Sequence, residues 1–196
     1  MHGAALEVPG RTKCKMLEET EPNVWWARQY SNPSNVAAHR ELGKEIFDQT
    51  DGKVDVFIAS VGTGGTFLGV SSFLKEKIPN LKAVAVEPFD EGIGGKGFTL
   101  ISGFRPENVI PGISGGIIET IVKSGIMDEL FRITNEDAVD MAYRLSREEG
   151  IFCGMSGGAN VFVALKEARR LGKGHTVVTV LPDSGDRYIT KEVYTT

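Results

Sequence analysis

A chain of 196 residues that is 41% hydrophobic is long enough to bury a real core, and it matches one ordinary domain or one domain plus part of a second. Its net charge of −4, with acids and bases interspersed and no basic run, leaves no footprint for nucleic acid or for an anionic membrane, so small molecules are the expected partners. The two cysteines, Cys14 and Cys153, form neither a disulfide framework nor a metal spacing. The N-terminus lacks a signal-peptide pattern and no apolar stretch is long enough to span a bilayer, so the expected location is the cytoplasm.

In chain order, the aromatic-rich run from Asn23 to Gln29 predicts a short strand. Asn32-Pro33-Ser34-Asn35 breaks it and offers an N-cap for a helix through about Phe47. Asp51-Gly52 turns the chain into a strand over Val54 to Ala59, and the run Phe67 to Ile78 reads as a helix ended by Pro79-Asn80. Leu81 to Val86 reads as a buried strand. Strands alternating with helices imply right-handed crossovers and a parallel sheet covered on both faces. Residues 90–116 are glycine-rich and aperiodic, which predicts a long irregular connection. Thr134-Asn135-Glu136 caps an amphipathic helix to about Glu149, with Ala138, Met141, Ala142 and Leu145 on one face, and Gly150 stops it. A small-residue helix over Ala159 to Leu171 and a last strand over Thr176 to Leu181 complete the pattern.

Between strand and helix lies Ser60-Val61-Gly62-Thr63-Gly64-Gly65-Thr66. Glycines there bring backbone N–H groups close to a ligand, and the helix start adds unpaired donors and a positive dipole end, so the segment suits a phosphate. It is not a Walker loop, because Gly65 is followed by Thr66-Phe67 rather than Lys-Ser/Thr, and Phe67 stands where a dinucleotide fingerprint needs glycine. Taken alone, the same letters also describe a plain connecting turn.

Other motifs carry weaker readings. Gly154-Met155-Ser156-Gly157-Gly158 formally matches a hydrolase nucleophile elbow, but His175 precedes Asp183 and Asp186, the wrong order for that triad. Cys153 reads as a buried thiol, and Trp25-Trp26 as core or interface aromatics. His2, His39 and His175 are too scattered for a metal site.

Four segments in order resemble the fold-type II enzymes that use pyridoxal 5′-phosphate (PLP), and among them the cysteine synthase and cystathionine β-synthase group. They are Gln29-Tyr30-Ser31-Asn32-Pro33-Ser34-Asn35, the loop Gly62 to Thr66, the run Glu148 to Ala159, and Leu181-Pro182-Asp183-Ser184-Gly185-Asp186-Arg187-Tyr188. The resemblance implies an α/β fold of parallel sheets flanked by helices, as in the tryptophan synthase β-like class. Residues 1–50 would be a remnant of the N-terminal domain carrying a substrate-side segment, and residues 51–196 the PLP-binding domain.

It also implies roles. Gly62, Thr63, Gly64, Gly65 and Thr66 would hold the cofactor phosphate, and Ser184 would face the pyridine nitrogen. Gln29 and Gly112 would line the substrate site, although the glycine-rich stretch at Gly112-Ile113 departs from the family pattern at Ser114. A neutral hydroxyl at the ring nitrogen leaves it largely unprotonated, which suits β-elimination and replacement more than transamination. The implied parent activity is β-replacement on O-acetylserine by sulfide to give cysteine. Cystathionine β-synthase and an O-phosphoserine-using enzyme share the motifs, and a non-catalytic PLP-binding or partner-binding module is a reading of another class. The family implies a homodimer, and serine acetyltransferase as a partner of some members.

The chain resembles only the C-terminal two-thirds or so of a family member. No lysine lies in a segment resembling the one that carries the family's Schiff-base lysine, so no catalytic residue is nominated. The expectation is a truncated form that is oligomeric or aggregation-prone on its own.

Overall fold

The computed structural model describes residues 9–88 and 119–189. Helix α1 (Pro9–Thr20) and α2 (Pro33–Gln49) precede strand β1 (Val56–Ser60), α3 (Gly65–Lys77) and β2 (Lys82–Pro88). Then follow α4 (Glu119–Ser124), β3 (Glu129–Ile133), α5 (Asn135–Glu149), α6 (Met155–Leu171), β4 (Val177–Thr179) and a 3-10 turn, Gly185–Tyr188. None of the described helices is long and apolar enough to cross a membrane.

The strands form one parallel sheet in the order β3-β2-β1-β4. Val56 pairs with Lys82 on one side of β1 and with Val177 on the other, while Val84 pairs with Glu129. Because side chains alternate along a strand, each central strand feeds two cores. Phe57, Ala59, Ala83 and Ala85 pack with Phe67, Val70 and Leu74 of α3. Val56, Ile58, Val84 and Val86 pack on the opposite side with Ala138 of α5 and Ala159 and Val163 of α6. Helices therefore cover both faces, which is why β1 and β2 read as continuous apolar runs rather than alternating ones.

Local chemistry explains the helix ends. Asn32 caps α2 by accepting the Ser34 N–H at 3.0 Å, with Pro33 in the first turn. Thr134 caps α5 through the Asp137 N–H at 3.1 Å, Gly150 ends it in a left-handed conformation, and the expected face of Ala138, Met141, Ala142 and Leu145 is buried.

Several expectations are corrected. Asn23 to Gln29 is not a strand, because no neighbouring strand among the described residues gives its backbone a ladder to join. Trp25 is 72% exposed, not a core residue. Helix α6 starts at Met155, four residues earlier than read, since its glycines pack tightly instead of breaking the helix, and β4 is shorter than expected. Helices α1 and α4 and strand β3 are additional elements. The predicted connection over 90–116, with Gly112, lies outside the described residues; among the described elements strands and helices alternate from β1 to α5, after which α6 follows α5 directly before β4.

Candidate functional site

The carboxyl end of β1 runs directly into the glycine loop. Val61 N–H donates to Val86 O at 3.1 Å, the last ladder contact before the chain leaves the sheet. Gly64 then takes φ 85°, the left-handed region that favours glycine, and forms the N-cap of α3. It has no side chain to cap the helix, and of the first-turn N–H groups that of Gly65 makes only a long side-chain contact, 3.4 Å to Thr63 Oγ1. Helix α3 begins with Gly65-Thr66 and carries Lys75 and Lys77 only in its last turn. The cradle is thus neutral, built from backbone donors and the half-buried hydroxyls of Thr63 and Thr66.

A second segment is pinned to this loop by one side chain. Asn35, in the first turn of α2, donates from Nδ2 to Gln29 O at 2.9 Å and to Thr63 Oγ1 at 2.8 Å. Thr63 Oγ1 also receives the Gly65 N–H in a long contact of 3.4 Å. The space at Gly65 is filled by the Asn35 amide, which a Cβ there would strike. The backbone of Gln29 is therefore joined to the glycine loop through Asn35. Gln29 is exposed and lines a cleft of about 490 Å³ with Arg11, Cys14, Trp26 and Tyr30, and none of the loop residues lines that cleft.

The other side of the sheet edge is organised by Asn160. Buried in α6, it accepts the Ser60 N–H at 2.7 Å and donates to Val180 O at 2.8 Å, so the exits of β1 and β4 are held together. Four residues beyond Val180 lies Ser184, exposed and held by an antiparallel bridge to Cys153. Its hydroxyl makes a 3.5 Å contact to Phe152 O. Gly154 N–H donates to Asp183 O at 3.1 Å, and Tyr188 Oη donates to Asp183 Oδ2 at 2.5 Å, which fixes the turn that presents Ser184.

Asn35 and Asn160 were missed by motif reading. Each acts through a partner distant in sequence, Thr63 for Asn35 and Ser60 for Asn160, and the one available signal was a short amide side chain, Asn35 in a resembling segment and Asn160 within an otherwise apolar, small-residue run. Elsewhere the bland readings hold. Cys153 is 2% exposed and burial pushes its thiol up, away from nucleophilic character. Ser156 is buried, and His175 pairs with Asp55 at 3.2 Å beside the start of β1, at the opposite end of the strands. No hydrolase triad forms among the described residues.

An uncapped helix start behind a glycine turn, flanked by neutral hydroxyls, fits a phosphate monoester. The model of the family described as pyridoxal-phosphate dependent enzymes matches residues 4–183. A cysteine synthase of Staphylococcus aureus is 38% identical over 185 residues, covering 93% of this chain and 57% of the relative. Among solved structures, an O-acetylserine dependent cystathionine β-synthase from Helicobacter pylori has a TM-score of 0.81 at 34% identity, covering 93% of this chain and 58% of that one. O-acetylserine sulfhydrylase isoform 3 from Entamoeba histolytica gives 0.81 at 39% identity, with 94% and 54% covered. The chain spans little more than half the length of these relatives. Family match and parallel sheet agree: this chain belongs to the pyridoxal-phosphate dependent enzymes.

Proposed function

We propose that this chain forms the cofactor-holding part of a cysteine synthase-like enzyme that replaces the O-acetyl group of O-acetylserine with sulfide to give cysteine. The observation that carries the reading is the uncapped start of α3 behind Gly64, a neutral donor set suited to the phosphate of PLP.

Gly62, Thr63, Gly64, Gly65 and Thr66 would receive that phosphate. Ser184 would face the pyridine nitrogen, its neutral hydroxyl keeping the ring in the form that favours β-replacement. The amide of Gln29 would bind the substrate carboxylate, and Gly112 would line the same site. The cofactor, when bound, supplies an electron sink for the α-carbon of the amino acid. The residues of this chain hold and orient; none is nominated to move the α-proton.

Two further features bear on the assembly. The exposure of Met16, Val24, Trp25 and Tyr30 supports a protein-protein contact, which we assign to a homodimer. Cys14 and Cys153 carry thiols rather than a disulfide, which supports a reducing cytoplasm. Serine acetyltransferase is the proposed further partner. The likeness to a cystathionine β-synthase favours a second reading, in which a larger thiol replaces sulfide as nucleophile.

The test is a titration with PLP followed by absorbance, and then an assay with O-acetylserine and either sulfide or homocysteine. Saturable binding is the expected result, and cysteine formed from sulfide would show in addition that the bound cofactor is competent for the replacement. Preference for homocysteine selects the second reading, binding without turnover selects a PLP-binding module, and absence of binding overturns the cradle.

A further inference from the structure

We infer that Asn35 is a positioning residue, which sets the Thr63 hydroxyl as a donor toward bound phosphate and couples that donor to the Gln29 segment. The inference rests on the proposed phosphate cradle.

The polarity follows from elementary hydrogen bonding. A backbone carbonyl only accepts, so the atom of Asn35 facing Gln29 O at 2.9 Å must be its NH2 group. The same nitrogen lies 2.8 Å from Thr63 Oγ1, so its second N–H is spent there and the hydroxyl acts as acceptor. The Gly65 N–H approaches the same oxygen at 3.4 Å. With N–H groups directed at its lone pairs, the Thr63 oxygen keeps its own proton free for another acceptor. That proton sits in the glycine loop, at the uncapped end of α3.

Position 35 tolerates few replacements on this account. Leucine and alanine give Thr63 no N–H and leave its rotor unset. Aspartate keeps the shape but reverses the polarity: its carboxylate accepts the Thr63 O–H as a hydrogen bond and places a negative charge beside the anion. A merely structural Asn35 would rank the isosteric change Asn35→Asp as milder than truncation, whereas the donor-setting role ranks it as worse.

The experiment measures PLP affinity by equilibrium absorbance titration of the native chain, Asn35→Ala, Asn35→Asp, Thr63→Val and the double variant Asn35→Ala/Thr63→Val. Far-UV circular dichroism monitors folding. Loss of one charge-assisted hydrogen bond predicts about tenfold weaker binding for Asn35→Ala and for Thr63→Val, with Asn35→Asp weaker still. Because Asn35 acts through Thr63, its truncation in the Thr63→Val background should change affinity by less than about twofold. Unchanged binding in Asn35→Ala, equal losses in both backgrounds, or Asn35→Asp milder than Asn35→Ala would each overturn the inference while leaving the cradle intact. Native-like binding by Thr63→Val, a single variant outside α2, overturns it as well. A native chain that does not bind PLP overturns the cradle and this inference together.

Discussion

Asn160 Oδ1 accepts the backbone N–H of Ser60 at 2.7 Å, at the point where β1 gives way to the glycine loop. Its amide nitrogen holds Val180 O at 2.8 Å, so one fully buried side chain fastens the exits of two neighbouring strands. Asn160→Ala leaves the half-buried Ser60 N–H and Val180 carbonyl without these partners and opens a small cavity. The expected cost is roughly 2–4 kcal/mol in urea denaturation. PLP affinity should fall with it, since the loop and the Ser184 turn lose their common anchor. A variant with native stability would show that both backbone groups find other partners.

Helices α5 and α6 meet so closely that Gly158 has no room for a Cβ, which would lie 2.7 Å from Ala142 N and 2.9 Å from Ala142 Cβ. Backbone cannot rotate aside as a flexible side chain can. Gly158→Ala should therefore destabilise the chain by about 1–3 kcal/mol, despite the better helix propensity of alanine. Thermal unfolding checks this, and a higher melting temperature would contradict the packing.

These two contacts mark the limit of what the letters reveal. Helix α5 was legible because its signals are local: the Thr134 cap, four apolar residues at helical spacing and Gly150. Strand β3 was not, because Glu129 and Arg132 break its apolar pattern. Those charges are answered across the sheet by Lys82 and by Glu87, more than forty residues away in sequence. Asn23 to Gln29 erred in the other direction, for strand propensity without a partner makes no strand. At the site, the glycine loop announced itself by composition, while the Asn35 link from Gln29 to Thr63 exists only once α2 packs on α3.

The ion-pair cluster around Glu167 sets a pH dependence. Glu167 is 6% exposed and accepts from Arg170 Nη2 at 2.8 Å and from Lys82 Nζ at 2.9 Å. The hydrogen bonds from Arg170, and then from Lys82, hold its carboxyl below the usual carboxylate range against the opposing effect of burial. A depressed folded-state value means that the unfolded chain takes up the proton first as pH falls. The contribution is complete above the ordinary glutamate range and is lost as pH drops through the folded value. Thermal unfolding between about pH 6 and pH 3 should therefore show the native chain losing more stability than Glu167→Gln. At neutral pH Glu167→Gln should be the less stable, and the two curves should converge in acid; parallel curves would remove Glu167 from the account.

Gly64 and Gly65 are adjacent yet predict different failures. Gly64 sits at φ 85°, so Gly64→Ala strains the backbone by about 1–2 kcal/mol and lowers stability directly. Gly65 is already helical, where alanine gains up to about 1 kcal/mol in propensity, but its Cβ strikes the movable end of Asn35. Gly65→Ala should therefore keep its melting temperature near native and lose PLP affinity, because the displaced amide no longer reaches Thr63. Removing that amide first abolishes the clash. In an Asn35→Ala background, adding Gly65→Ala should cost no further affinity. Titration of the four proteins with PLP decides it: equal losses in both backgrounds would mean that alanine at 65 blocks the phosphate itself.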